Sequence, residues 1–371
     1  MKKVTYLIGA GASANALPIV SRLTDRFKFF CWHLTYFIKG TGGEPSDNLI
    51  ERGELIKKIE RFYTIDTYAK NLYLQNPNLN TNKEYDSLVK YLSAFFIYEQ
   101  LNKKKGEKST IPLFERNGNS MVNGFDEDKE QKIKDEILKD LDYRYDSFLA
   151  SLLKYNEKGE IEMPKEINIV SWNYDSQFEK SYMNLTSCTY DAALERLNFI
   201  GVEDGKTLNP DKPAFIKLNG TAAFYRDGSS FGNLFDYKKH HLNEESVRIF
   251  KEILTSPRNN YETALRFAWV KSDAANKAID TAQKVLQESD IIVVIGYTFP
   301  YFNREEDREI FKHVNLPLRG GPRTQGKYHK MYIQAPSDNI ESIVKRFESI
   351  KPLAEVERFT EVDQFLIPNE L

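Results

Sequence analysis

Short, uninterrupted apolar runs recur along the chain at residues 4–8 (VTYLI), 167–171 (INIVS), 214–218 (AFIKL), 291–295 (IIVVI) and 330–334 (KMYIQ), with a weaker one at 354–359 (AEVERF). A strand with one wet face alternates apolar and polar residues, whereas a run that is apolar throughout suits a strand covered on both faces, as in a parallel sheet. Residues 273–287 (DAANKAIDTAQKVLQ) read as a helix leading directly into the 291 run, and residues 339–349 as another after the 330 run. That alternation predicts an α/β fold, a Rossmann-like doubly wound parallel sheet.

The spacing breaks once. Roughly 160 residues separate the first run from the second, far more than an ordinary crossover needs. Inside this gap, EYDSLVKYLSAFFIYEQL places Leu88, Leu92, Phe95 and Phe96 on one helical face. The segment KIKDEILKDLDYRYDSFLASLLKY does the same with Ile133, Ile137, Leu141, Phe148 and Leu152, as a helix packed on one side requires. Residues 102–130 between them are polar, charged and glycine-bearing and read as a surface loop. The pattern predicts a single domain over 1–371 with a helical insert at about 25–160. The aromatic run Phe27, Phe29, Phe30, Trp32, Tyr36 and Phe37 reads as insert core or an oligomer face.

Composition narrows the function classes. The chain is 41% apolar, which suits a globular protein with a sizeable core rather than a disordered one. A net charge of −2 and a pI near 6.3 remove any global field that would draw it to nucleic acid or anionic lipid. Lys103 to Lys105 read as part of a solvated loop. Only two cysteines, Cys31 and Cys188, occur, far apart. Neither a disulfide framework nor a cysteine-built metal site is expected, and a reducing, cytoplasmic setting fits. The longest apolar stretches are too short to span a bilayer, and the opening MKK precedes a strand that the next loop needs, which argues against a cleaved signal.

That loop carries the first chemistry. In YLIGAGASANALP, a strand runs into Gly9, Ala10, Gly11, Ala12 and Ser13. Glycines here allow a tight turn and let backbone N–H groups approach a pyrophosphate at a helix N-terminus; a purely structural turn is the plainer alternative. A dehydrogenase also needs a second strand ending in an acid for the adenosine ribose. Asp25 instead precedes the aromatic run and closes no strand. No Gly-Lys-Ser/Thr follows, so the loop is not a P-loop. Later runs also end in polar or glycine-bearing chemistry, SWNYD (171–175), KLNGT (217–221) and GYTFP (296–300), and in an open parallel sheet these ends share the ligand-binding edge.

Taken in order, these motifs resemble the sirtuin-like family, in its bacterial NAD-cleaving, phage-defence branch: Gly9 to Ser13, Asn173 and Asp175 in SWNYDSQFE, and Gly296, Tyr297 and Thr298 in IGYTFPYFNREEDREIF. The resemblance implies NAD as substrate or ligand and hydrolysis of NAD to nicotinamide and ADP-ribose. It places Asn173 at the attacking water, Asp175 at the ribose or its developing cation, and Gly220, Gly296, Tyr297 and Thr298 beside the nucleotide. It further implies gating by homo-oligomerisation or by a partner such as an ATPase. Two departures stand out. Two isolated cysteines cannot supply the family's four-cysteine zinc module, which argues against deacylation. Asn219 in KLNGT stands where the family's catalytic histidine is expected, and a carboxamide hydrogen-bonds but does not act as a useful base.

Three explanations for Asn219 stay open: natural hydrolysis through Asn173 and Asp175, an inactivated form that traps ligand, or a non-catalytic nucleotide sensor or assembly subunit. His240 and His241 lend a base or are surface histidines. Asp66 approaches the nucleotide or caps a helix. Arg304, Glu305, Glu306 and Asp307 order the site entrance, make a subunit contact, or simply begin a charged helix. Trp172 reads as core.

Overall fold

The computed structural model describes residues 2–18, 20–40, 48–62, 64–79, 81–101, 141–202, 207–226, 228, 231–237, 239–240, 244–255, 260–319 and 328–371. In chain order they form β1 (Val4–Ile8), a 3-10 turn (Ala10–Ser13), α1 (Val20–Gly40), α2 (Asn48–Ile59), α3 (Ile65–Gln75), α4 (Lys83–Gln100) and α5 (Tyr143–Leu152). Then come β2 (Lys154–Tyr155), β3 (Ile161–Glu162), β4 (Ile167–Ser171), α6 (Gln177–Thr186), α7 (Tyr190–Arg196), β5 (Phe199–Ile200), β6 (Phe215–Lys217) and β7 (Gly220–Arg226). The remainder is α8 (Glu244–Thr255), β8 (Tyr261–Leu265), α9 (Asp273–Glu288), β9 (Ile291–Ile295), a 3-10 turn (Tyr301–Asn303), α10 (Arg304–Ile310), β10 (Lys330–Gln334), α11 (Ile340–Glu348) and β11 (Glu357–Phe359).

Two compact units result, one comprising Met1–Ala14, Asp142–Leu234 and Thr263–Leu371, the other Asn15–Leu141 and Phe235–Glu262. The first holds a seven-stranded sheet in the order β11-β10-β9-β1-β4-β6-β5, every pairing parallel. The α/β, Rossmann-like expectation is therefore met. The apolar runs at 4–8, 167–171, 291–295 and 330–334 become strands with those bounds, while those at 214–218 and 354–359 shorten to Phe215–Lys217 and Glu357–Phe359. Strand β5, two residues long, has too little pattern to read from sequence.

Alternation along each strand divides the core. Leu7, Val170, Ile216, Ile292, Val294 and Ile333 join a cluster that contains Ala278, Ala282, Val285 and Leu286 of α9 and Ile343, Val344 and Phe347 of α11. On the opposite face Tyr6 meets Phe148 of α5 edge-on at 4.8 Å, and Phe215 meets Phe178 of α6 at 4.9 Å. Helices thus cover both faces, which is why the strands carry apolar residues throughout. Helix α9 begins where the Ser272 hydroxyl accepts from the Ala275 N–H, and its buried positions Ala274, Ala275, Ala278, Ala282, Val285 and Leu286 fall on one stripe.

The register sets the functional edge. Ile8 pairs with Ser171 and with Ile295, Ser171 with Lys217, and Ile295 with Gln334. These strands consequently end at one level. Chain order reverses between β1 and β9, since β4 and β6 follow on one side and β10 and β11 on the other. Ligand crevices of open α/β sheets lie at such a reversal.

The second unit is helical and carries its own aromatic core. Phe27 packs against Phe95 at 5.6 Å, Phe30 against Phe95 at 5.8 Å, and Phe235 stacks on Phe250 at 4.7 Å. A buried ion pair joins Arg26 Nη2 to both Glu99 carboxylate oxygens at 2.8 and 2.6 Å. Helix α4 is buried on every side from Leu88 to Gln100, not on one face. Val89, Tyr91, Ala94, Ile97 and Tyr98 fill the other faces, and a helix that is apolar all round is a buried helix. The cap of α3 also differs from expectation. Thr64, not Asp66, accepts from the Thr67 N–H, and Asp66 lies in the first turn. Ile133, Ile137, Lys103 to Lys105, the 102–130 loop and His241 lie outside the described residues, as do the side chains of Trp32, Tyr36 and Phe37.

Candidate functional site

At the end of β1 the glycines meet a second glycine-bearing loop. Gly9 N–H donates to the Ile295 carbonyl and Gly11 N–H to the Gly296 carbonyl, both at 2.9 Å. A Cβ on Gly9 would lie 2.6 Å from Tyr297 Cα, and one on Gly11 would lie 2.9 Å from Gly296 Cα. Gly296, at φ +65°, would place a Cβ 2.2 Å from the Ala12 nitrogen. These three glycines are thus required by the close approach of two strand-end loops, whatever else they bind. Ala12 N–H donates to the Gly9 carbonyl at 2.9 Å, which closes the 3-10 turn, while Ala10 is exposed on its outer side.

Arg144, on the first turn of α5, holds this turn from the carbonyl side. Its Nη2 donates to Gly11 O at 3.1 Å and Ala12 O at 3.2 Å and pairs with Asp142 at 2.7 Å. Its guanidinium lies 5.1 Å over the Phe365 ring. The turn therefore presents Ser13, fully buried, to the residues that follow β4.

Those residues are Asn173 and Asp175. Asn173 Nδ2 donates to Ser13 Oγ at 3.2 Å, and Ser13 Oγ lies 3.2 Å from the Tyr145 hydroxyl. Ser13 also hydrogen-bonds the Asp175 carboxylate, whose Oδ1 accepts from Gln177 N–H at 3.0 Å. Burial pushes the Asp175 carboxyl above the usual carboxylate range, against the lowering pull of Lys217 and of its hydrogen bonds. Tyr145 is raised well above its ordinary value by burial and by the Asp175 charge, so it stays a neutral donor. Ser13, Asn173 and Asp175 are thus brought together.

Behind them lies chemistry that the sequence reading missed. Lys217 closes β6 and is 1% exposed. Its ammonium donates to the Asp175 main-chain carbonyl, to Glu179 Oε1 at 3.0 Å and to Thr221 Oγ1 at 3.3 Å. Glu179 is fully buried and also pushed up by burial. A lysine closing an otherwise apolar strand run was the signal available, because a buried ammonium must find a partner. Tyr145 carried no such signal, its aromatic ring fitting any helical core position.

Asn219 and the 296–298 turn occupy other places. The Asn219 Nδ2 donates to Trp172 O at 2.7 Å and its Oδ1 accepts from Ala268 N–H at 2.9 Å. Its carboxamide thus bridges two main-chain segments. Gly220, at φ +64°, would drive a Cβ to 2.0 Å from Ala264 O. Tyr297 is buried, stacked on Trp172 at 5.3 Å, and its hydroxyl donates to Asp307 at 2.9 Å. Thr298 is exposed, its carbonyl accepting from Arg346 at 3.2 Å. The charged start of α10 supplies Asp307 to the core. His240 Nδ1 is engaged by the Asp236 main chain in its own turn. Among the described residues no group of His, Cys, Asp and Glu could hold a metal ion, and no helix is long and apolar enough to cross a membrane.

No protein-family model matches the chain, and neither does any curated protein. Among solved structures, that of Sir2Tm bound to a propionylated peptide aligns over 94% of this chain and 92% of that one, at 8% identity and a TM-score of 0.30. So loose a likeness carries no argument about this chain's chemistry. What stands is a parallel, Rossmann-like α/β sheet with a buried polar cluster at the carboxyl edge of its strands.

Proposed function

We propose that this chain is sirtuin-like, that it binds NAD at the carboxyl edge of the sheet, and that it hydrolyses the nicotinamide–ribose bond, releasing nicotinamide and ADP-ribose. One observation carries the reading: Ser13, Asn173 and Asp175, from two adjacent strand ends, meet in a single buried hydrogen-bonded group. Scission of the bond places positive charge on the ribose ring, and nicotinamide leaves without needing a proton. A fixed carboxylate in a low-dielectric site stabilises such a charge more in the transition state than in the ground state. Asp175 supplies that carboxylate. Asn173 Oδ1, which accepts no hydrogen bond among the described residues, orients the attacking water or a ribose hydroxyl. The turn at Gly9 to Ser13 approaches the pyrophosphate through its exposed Ala10 side, and the exposed Thr298 on the neighbouring Gly296 turn reaches the nucleotide. An enzyme of this type consumes a vital cofactor and needs a gate, and we assign that to self-association or a partner such as an ATPase. Depletion of NAD then suits an anti-phage role.

A second reading has its own support. Both ends of the Asn219 amide are engaged by main chain, and no imidazole joins the cluster among the described residues. A protein that holds NAD without cutting it fits those facts. Incubating the protein with NAD and measuring nicotinamide release beside calorimetric binding separates the two. Release at a steady rate supports hydrolysis; binding without release under any condition overturns it in favour of a sensor.

A further inference from the structure

The hydrolase reading rests on Asp175 carrying its negative charge, yet the carboxyl sits where water cannot support that charge. The groups facing it come from four elements. The 3-10 turn supplies the Ser13 hydroxyl, and the start of α5 supplies its cap residue Asp142 and Tyr145. Asp142 pairs with Arg144 at 2.7 Å, and its charge still pushes the Asp175 carboxyl up. Tyr145 is neutral. Strand β6 supplies Lys217 and α6 supplies Glu179.

Lys217 is thus the cation in this group left to balance two buried acids. Its three donor directions are all taken, by the Asp175 carbonyl, Glu179 Oε1 and Thr221 Oγ1. Glu179 is served sparsely in return, since its Oε2 is buried with no hydrogen-bond partner. Counting charges, one ammonium faces two carboxylates about one α-helical turn apart in sequence, Asp175 and Glu179. A low-dielectric site does not hold both ionised against a single cation without raising one of them.

We propose that Lys217 and Glu179 form a positioning pair for the site, in which Lys217 anchors the turn carrying Asp175 through its main-chain carbonyl and sets the charge of its carboxylate, while Glu179 competes for the same ammonium. The inference rests on the hydrolase reading for its consequence in catalysis but not for its electrostatics. Neither residue touches substrate. Removing Lys217 leaves Asp175 beside Glu179 with no counter-charge and favours the protonated, inactive carboxyl. Neutralising Glu179 frees the ammonium field for Asp175 and favours the carboxylate.

The two substitutions are therefore expected to act in opposite directions, which a role in packing alone does not produce. With the aspartate carboxyl carbons labelled and the Asp175 resonance assigned by its loss in Asp175→Asn, NMR follows the titration directly, without turnover. Lys217→Met is expected to move the Asp175 midpoint up by about one to three pH units, and Glu179→Gln to move it down by about one. The acid limb of nicotinamide release is expected to move in the same two directions. Should Lys217→Met fail to fold, the double variant Lys217→Met/Glu179→Gln, which removes the Glu179 charge together with that of the lysine, stands beside Glu179→Gln as the test. Its midpoint is expected to lie above that of Glu179→Gln alone. Midpoints that stay put, or that move together in one direction, overturn the inference. Opposed NMR shifts in a chain that releases no nicotinamide uphold the pair while refuting the hydrolase. Steady release with an unmoved Asp175 midpoint does the reverse.

Discussion

Asp175 and Asp307 are both buried carboxyls near the carboxyl edge of the same sheet, and both are pushed above the usual range by burial. Their surroundings differ. Asp307 meets the Tyr297 hydroxyl and lies beside the apolar cluster to which Tyr297, Phe299 and Ile310 belong. Asp175 has Ser13, the Gln177 amide and a lysine behind it. Burial alone therefore does not mark a functional acid. Asp307 reads as a neutral acid locking the Tyr297–Trp172 stack in place, whereas Asp175 is given the means to carry charge.

The sharpest way to break this contrast is Asp175→Asn. It is expected to lower nicotinamide release by about 10²–10³-fold, the scale on which one preorganised electrostatic group acts, with the circular dichroism spectrum retained. Asp307→Asn is expected to leave release per folded molecule nearly unchanged; equal losses in both variants would collapse the distinction. Asp307→Ala removes the partner of a buried hydroxyl. It is expected to cost about 1–3 kcal/mol in urea unfolding, the usual penalty for an orphaned polar group.

Asn219→His tests the bridge. If the carboxamide is mainly a bracket between Trp172 O and Ala268 N–H, the change costs about 1–2 kcal/mol for the lost hydrogen bonds and gives no gain in release. A large gain would instead identify a hydrolase lacking only its base.

Asp307 also makes a pH prediction. Its folded pKa lies well above the unfolded value, so the stability it contributes is whole below the ordinary carboxylate pKa near ~4. That contribution is lost as pH rises toward the elevated folded value. Asp175 and Glu179 act with the same sign. The thermal midpoint of the wild type is therefore expected to fall relative to that of Asp307→Asn as pH rises from about 4. Tyr301→Ala sets the lower end of the scale. That ring is 77% exposed, and its removal is expected to change stability by less than about 0.5 kcal/mol.

Much of the sheet was legible because the two helical layers leave its strands no wet face. IIVVI and VTYLI can hardly be anything else once helices flank them. The aromatic helices were legible in part. Leu88, Leu92, Phe95 and Phe96 are buried as expected, but the full enclosure of α4 depends on packing from several directions. The contribution of 235–262 to the helical unit follows from a long-range return of the chain, which no local pattern encodes. Of the site, Ser13, Asn173 and Asp175 could be named from motif order, whereas Tyr145 and Glu179 could not, since each sits on a helix whose sequence reads as ordinary core and surface.

The sequence alone determined six of the seven strands of the parallel sheet, because apolar runs are local facts. It also determined that no second strand follows the glycine turn, since α1 takes that stretch. Tertiary structure decided what each polar residue does. Asn219 and Tyr297 carry motif-like neighbours, yet register and packing turn the first into a main-chain bridge and the second into a core stack held by Asp307. Lys217 became part of the site because parallel pairing set it level with Ser171. A side chain's chemistry is local, but its partners are fixed only when distant strand ends meet.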